Sequence, residues 1–478
     1  MFKKLIIVPE KINLEQLLQQ KPAEFDFNLD YGYSLLHQIL IDTSFKLDNI
    51  KDWKDFRTHK LIRKFSLKRC AEILQLQFRE YDKHLNYFYK NNILWRERYS
   101  DNVCRRYQLA PKYFAEKVRF VEITDRKVIN IFFKEKEENK SYYPLNKWLD
   151  NKLRIDTKSA LESLNSTFEG DMDWGYYLTR CRAVLGIANT HYYFSRNEFT
   201  DDRFHSSFTS IPKDVRKYLS YNGNPLGEVD ISASVPFFLY CQLLYLVDDG
   251  QRINLAFFDN FFKKNRLYSK ALNISKSKVK LDKEEIMRFG ETLLNGTFYQ
   301  EIMTHFDDNY YEKHSVYVLN RAFDNSDEDR KVIAKKMILS SINSRNYQHK
   351  ETKEFLKAIY PTIMQFLEVF KTRRYLNESV KKKLQKKLII CEEKLKEKFQ
   401  QHKKVPHLLL QTESYFMLDV LVRKLNKRYS KMPFFTLHDC IVTTEENIEF
   451  LEEFMVETFI ETIGFSAKFK SQNFKIAC

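Results

Sequence analysis

Apolar and polar positions follow helical spacing over most of this chain and switch to alternation in only a few places. Residues 1–95 are basic and read as helical, as in HKLIRKFSLKRCAEILQLQFREYDKHLNYFYKNN, where apolar side chains recur every three or four positions. RFVEITDRKVINIFFKEK at 119–136 alternates and predicts a hairpin with DRK at its turn. A second helical block runs to about 198. GEVDISASVPFFLYCQLLYLV then predicts a short strand ending in Asp230, a turn through Pro236, and a helix apolar on every side and therefore buried. NESVKKKLQKKLIICEEKLKEKFQQHKK predicts a long amphipathic helix whose Lys-rich face meets solvent. FFTLHDCIVTT, Phe434 to Thr444, predicts two short strands joined by a tight turn carrying His438 and Asp439. There is no internal repeat.

Composition narrows the picture. A chain of 478 residues with 43% apolar content is too long for one core and ample for two or three lobes. Gly and Pro number only 10 each, which favours long helices over a loop-rich sandwich. Lys and Arg number 80 against 64 Asp and Glu, a net charge of +16 that predicts attraction to a polyanion, nucleic acid first and a membrane surface second. The longest apolar run, Val235 to Val247, has 13 residues. About 20 are needed to cross a bilayer, so no membrane span is expected. The start, MFKKLIIVPEKINLEQ, lacks the apolar core and cleavage site of a signal peptide. Cys70, Cys104, Cys181, Cys241, Cys391, Cys440 and Cys478 form no C-x-x-C pair and no even framework, so neither zinc nor disulfides are expected and a reducing cytoplasm fits. No Gly-rich phosphate loop is present.

The candidate chemistry lies in two carboxylates. Asp230 ends one apolar strand and Asp439 tips an apolar hairpin, 209 residues further on. If the strands are neighbours in one sheet, the two anions converge and persist as anions only with a cation between them. Hard oxygen donors that leave coordination positions open suit Mg²⁺ shared with substrate phosphates. Such ions activate an attacking hydroxyl and steady a leaving pyrophosphate.

Those residues carry a resemblance. EVDISASVP resembles motif A, and LHDCIVTT motif C, of the family A DNA polymerases and the single-subunit phage-type RNA polymerases. Between them DRKVIAKKMILSSIN resembles motif B, so the order A, B, C is kept. DDRFHSSFTSIPKDVRKYL, NGTFYQEIM and LLLQTESYFMLDVLVRKL resemble further segments of the family, and the likeness covers about 200–478. The fold it implies is α+β, a right-hand polymerase with a small antiparallel palm sheet, helical fingers and a mostly helical N-terminal and thumb region. The corresponding division is a helical region at 1–95, a thumb-like template grip at 96–200, palm at 201–275, fingers at 276–404 and palm again at 405–478.

The resemblance also implies roles. Asp230 and Asp439 would hold two Mg²⁺ ions, with Mn²⁺ as the alternative and the Ile231 carbonyl as an extra ligand. Arg330, Lys331 and Lys335 or Lys336 would meet the nucleotide phosphates, the register between the two lysines being open, and Ser232 and Ser234 belong to the nucleotide site. His438, Gln411 and Arg203 would touch primer, nascent pair or substrate. Partners would be a DNA or RNA primer-template and nucleoside triphosphates. Val235 stands where family A DNA polymerases usually carry a sugar-excluding Glu, and Cys440 where they commonly carry a third carboxylate, so the choice between dNTP and NTP stays open. Residues 1–200 lack the spaced acids of a proofreading exonuclease, and editing is not expected. An RNA polymerase or primase and a template-independent nucleotidyltransferase are variants of this reading. Its rivals are an inactive nucleic-acid-binding protein and a metal-dependent nuclease.

Overall fold

The first apolar run of the chain forms a strand. In the computed structural model Lys4–Pro9 pairs antiparallel with Val118–Ile123, from Lys4 opposite Ile123 to Pro9 opposite Val118. Ile6, Ile7 and Val8 are fully buried, and their β-branched side chains suit a pleated surface better than a helix. Residues 1–95 are thus not helical throughout. The pairing also corrects the hairpin expected at 119–136. Val118–Ile123 takes its partner from the N-terminus, and the chain then enters a helix, Arg126–Phe132. The turn residue Asp125 starts that helix: its carboxylate accepts from the N–H groups of Lys127 and Val128 at 2.7 and 3.3 Å.

The structure describes residues 3–47, 65–66, 78–96, 106–132, 142–168, 174–198, 200–248, 250–319, 322–372 and 400–474. Most of the long amphipathic helix expected from Asn377 to Lys404 lies outside them. The fold is mixed, with helices predominating over short strands. Among the described residues no helix is long and apolar enough to cross a membrane.

Backbone contacts divide the chain into two units. The first comprises residues 1–194, 205–226 and 474–478, and the second 195–204 and 227–473. In the first, the helix Trp174–Ala188 is tied to the N-terminal sheet and the segment before it. Trp174 Nε1 donates to the Glu116 carbonyl at 3.0 Å, and the Tyr177 hydroxyl accepts from Val118 N–H at 2.8 Å.

The second unit holds the strand and hairpin that the sequence singles out. Phe435–Leu437 and Cys440–Thr444 form the hairpin, with Leu437 opposite Cys440 across the two-residue turn. Cys440–Thr444 neighbours the strand Asn224–Ile231, whose residues from Gly227 onward pair antiparallel with Phe469–Asn473. The helix Ser234–Val247 is buried nearly all round, as its composition requires. Pro236 sits inside its first turn, where a missing N–H costs nothing, and does not form a separate turn. Phe237 and Phe238 pack from this helix against Phe459 and Phe416, with ring centroids 5.6 and 6.3 Å apart. The helix Lys283–Asn295 approaches so closely at Gly290 that a methyl group there would overlap the Tyr240 ring.

One buried cation in this unit makes stability depend on pH. Lys371, 3% exposed, donates to the Ser341 carbonyl at 3.2 Å. Burial pushes its pKa from 10.5 down to about 7; Lys353 adds repulsion, and Glu368 works the other way. Because the folded-state value is the lower one, the unfolded chain binds more protons between these two values, and stability rises with pH across that window. The urea midpoint of the wild type should therefore rise relative to that of K371M between about pH 7 and about pH 9.5. A difference that stays constant with pH contradicts this assignment. Separately, Gly290→Ala should cost about 1–3 kcal/mol in urea unfolding, the range for overpacking a filled core.

Candidate functional site

The strand end that carries Asp230 and the hairpin tip that carries Asp439 are joined by a backbone bond. Ile231 N–H donates to the Asp439 carbonyl at 3.2 Å, so the residue after Asp230 is bonded directly to the tip of the hairpin. Asp230 itself lies opposite Lys470 in the neighbouring strand. Both approaches pass through unusual backbone: His438, the first of the two turn residues, has φ +61°, and Ala233, three residues after Asp230, has φ +54°. For residues with a Cβ each such position costs of order 1–3 kcal/mol and persists only when the surroundings over-determine it. Here the hairpin pairing and the N-terminus of the buried helix supply that constraint.

Asp439 is half-buried. Burial pushes its pKa above the ordinary carboxylate value, against the pull of Arg203, its own backbone N–H and Lys335, while Glu228 adds repulsion. Three charged side chains thus act on one carboxylate. Glu228 precedes Asp230 by two residues on the same strand and so shares its face. Its carboxylate accepts from Gln472 and, at 3.7 Å, from the Cys440 thiol. The position that lacks a third carboxylate therefore carries a thiol turned toward an acid of the adjacent strand.

Arg203 is fixed from behind by a residue that the sequence pattern did not single out. Its Nε and one terminal nitrogen both donate to Glu413 Oε1, at 2.9 and 2.6 Å, and the Ser234 hydroxyl donates to Oε2 at 2.6 Å. Glu413 is 1% exposed. Burial pushes its pKa up to about 7; Arg203 opposes this, Asp439 adds to it, and the Ser234 and Arg203 hydrogen bonds oppose it too. Burial works against the Arg203 charge as well, but Glu413, Asp439 and Asp201 outweigh it and raise its pKa. One guanidinium is shared between a buried carboxylate and the hairpin Asp.

The segment carrying Arg203 is held by the helical stretch that carries Glu413. Lys404–Ser414 continues through a π-helical turn, Tyr415–Leu421, into Val422–Arg428. Gln411 Nε2 donates to the Thr200 carbonyl at 2.7 Å, and the Ser414 hydroxyl to the Asp201 carbonyl at 3.0 Å. Asp419 accepts from Arg196 at 2.7 Å, and Arg196 also clasps Asp202 at 2.8 Å. Gln411 is thus buried and committed to backbone, and Ser234 is committed to Glu413.

The helix Asp327–Asn343 carries the remaining candidates. Lys335 is the lysine whose charge acts on Asp439 among the largest influences, and the helical step turns Lys336 by about 100° from it. Lys331 is exposed one turn earlier on the Lys335 face. Arg330 is engaged elsewhere, with Asn325 at 2.7 Å, Asp308 at 2.5 Å and the Tyr311 ring at 4.9 Å. Ser232 N–H donates to the Lys468 carbonyl at 2.8 Å. Tyr299, from NGTFYQEIM, has its pKa raised by burial and then by Asp439. Its hydroxyl is buried, with no hydrogen-bond partner among the described residues.

Two hard carboxylates, one at a strand end and one at the tip of the hairpin, both half-buried, suit a divalent cation that would offset any repulsion between them. Among the described residues no group of three or more His, Cys, Asp or Glu side chains is placed to hold a metal ion. Remaining positions would fall to water and substrate oxygens, as hard cations of this kind allow.

Removing one partner of the buried pair leaves the other uncompensated. E413A should cost about 3–5 kcal/mol in urea unfolding, and R203M/E413L, which removes both charges, should recover most of it. Additive losses in the double variant would show that the pair is not coupled.

No protein-family model matches this chain, and no curated protein matches it. Among solved structures the chain is similar to the POL domain of Pol1 from M. smegmatis in complex with DNA primer-template and dNTP, at 10% identity and a TM-score of 0.33, over 96% of this chain and 72% of that one.

Proposed function

We propose that this chain is a nucleotidyltransferase that adds nucleotides to a nucleic-acid 3′-hydroxyl, in the manner of a family A-like DNA polymerase. The observation that carries the reading is the backbone bond from Ile231, next to Asp230, to Asp439, with Arg203 and Lys335 both acting on the Asp439 charge. Motif order and the +16 charge agree with it.

In this reading Asp230 and Asp439 hold Mg²⁺, which when bound supplies Lewis-acid activation of the attacking hydroxyl and charge neutralisation at the phosphates. The 3′-oxygen attacks the α-phosphorus, and the bond to the bridging oxygen breaks as pyrophosphate leaves. Lys335, with Lys331 one turn behind it, neutralises the β- and γ-phosphates as negative charge moves onto them. Arg203 is pre-aimed by Glu413, so its remaining donors meet a primer or substrate phosphate with little loss of side-chain freedom. His438 approaches the primer terminus from the turn. Gln411 and Ser234 act through the groups that they hold in place.

Primer extension with labelled DNA and RNA primers, offered dNTPs or NTPs with and without template, tests the reading and resolves sugar choice and template use. Extension should appear with the wild type and vanish with D230A and with D439A. K335A should lose about 10²-fold in kcat/KM, the scale of one transition-state charge contact, and K336A should stay near wild type. Shortened products would mean a nuclease. Binding without any product would mean a nucleic-acid-binding protein.

A further inference from the structure

A second basic surface lies apart from the carboxylates in sequence. Between Lys263 and Lys283 the chain carries eight Lys and Arg residues, at 263, 264, 266, 270, 276, 278, 280 and 283, against one acid, Asp282. All eight are exposed. The segment covers the end of the helix Leu255–Lys264, the helix Arg266–Lys276 and the turn into Lys283–Asn295. Like charges crowded this closely repel one another and draw anions to the surface. Lys283 has a carboxylate, Asp248, at 3.7 Å, and Lys264 lies over the Tyr415 ring at 4.8 Å. Arg266, Lys270, Lys276, Lys278 and Lys280 form no ion pair with a described carboxylate.

The surface is also shaped. Lys263, Arg266 and Lys270 line an open concavity of about 690 Å³ together with Tyr245, Phe262 and Ile274. Tyr245 and Phe262 pack with ring centroids 5.3 Å apart, and Ile274 is 38% exposed. The acid in this concavity, Asp259, accepts from the Tyr245 hydroxyl at 2.9 Å. A second concavity of about 430 Å³ is lined by Lys276, Lys278 and Lys280 with Val247, Val279 and Leu281. Cations lining the same concavities as apolar and aromatic groups are the combination that holds a strand by its phosphates and seats its bases. A duplex keeps its bases stacked inside and offers no apolar face to such a floor.

We propose that the face formed by residues 263–280 is a binding track for single-stranded nucleic acid, separate from the carboxylate site. Arg266 and Lys270 stand one helical turn apart on the exposed side of their helix, and exposed lysines follow at 276, 278 and 280.

The test uses the full chain in EDTA without nucleotides, so its outcome is independent of whether the protein extends a primer. Anisotropy of a labelled oligo-dT is followed across salt concentrations for wild type and K263Q/R266Q/K270Q. The slope of log affinity against log salt should fall by about 2, from about 0.7 per lost contact on a single strand. The variant's unfolding midpoint should match the wild type, and K276Q/K278Q/K280Q should show a comparable fall. Unchanged slopes in both variants overturn the proposal. So does a loss confined to duplex DNA, or to vesicles of phosphatidylserine, with oligo-dT binding intact.

Discussion

A guanidinium held between two carboxylates is the constraint on which the candidate site depends. Arg203 spends two of its donors on Glu413, and its charge also steadies Asp439. Burial of Glu413 penalises its charge, so the pair survives only because the geometry is close and Ser234 satisfies the other oxygen. The helical stretch 404–428 spends Gln411, Ser414 and Asp419 on holding the segment that carries Arg203. Much of the polarity around this site is therefore scaffolding that keeps one cation aimed.

The arrangement gives physical content to the two strained residues. His438 and Ala233 each hold a left-handed backbone conformation next to a carboxylate-bearing position. A relaxed turn would re-aim Asp439, and a relaxed entry into Ser234–Val247 would move Ser234 away from Glu413. The packing of Phe237 and Phe238 on Phe459 and Phe416 anchors the helix that would otherwise relax. Strain at the site and aromatic packing below it are two sides of one balance.

Charge is distributed in two patterns with different consequences. Near the carboxylates, Arg203 and Lys335 act on the Asp439 charge, and Arg203 is fixed in place by Glu413. Along residues 263–283 cations are numerous, exposed and mostly unpaired with acids. The first pattern suits discrimination at a reacting centre, because low dielectric magnifies each contact. The second suits grip, which is additive, salt-sensitive and indifferent to base identity.

The sequence alone made some features legible and hid others for a physical reason. A charged residue at the end or tip of an apolar strand stands out against its neighbours, which is why Asp230 and Asp439 could be singled out from pattern and why the buried helix after Ser234 was evident. Periodicity is local, and it carries no information on remote partners. The alternation at 119–136 looked like a hairpin because nothing nearby reveals that Lys4–Pro9 supplies the pairing strand. Glu413 stood two residues from Gln411 in an apolar helix, the same signal as Asp439, but its meaning depends on Arg203, 210 residues earlier. Adjacent lysines 335 and 336 are equivalent as letters, and only the placement of the helix against the hairpin turns one of them toward Asp439. Local chemistry follows from the order of residues; which segments pair, and which charges share a low-dielectric space, is decided by packing.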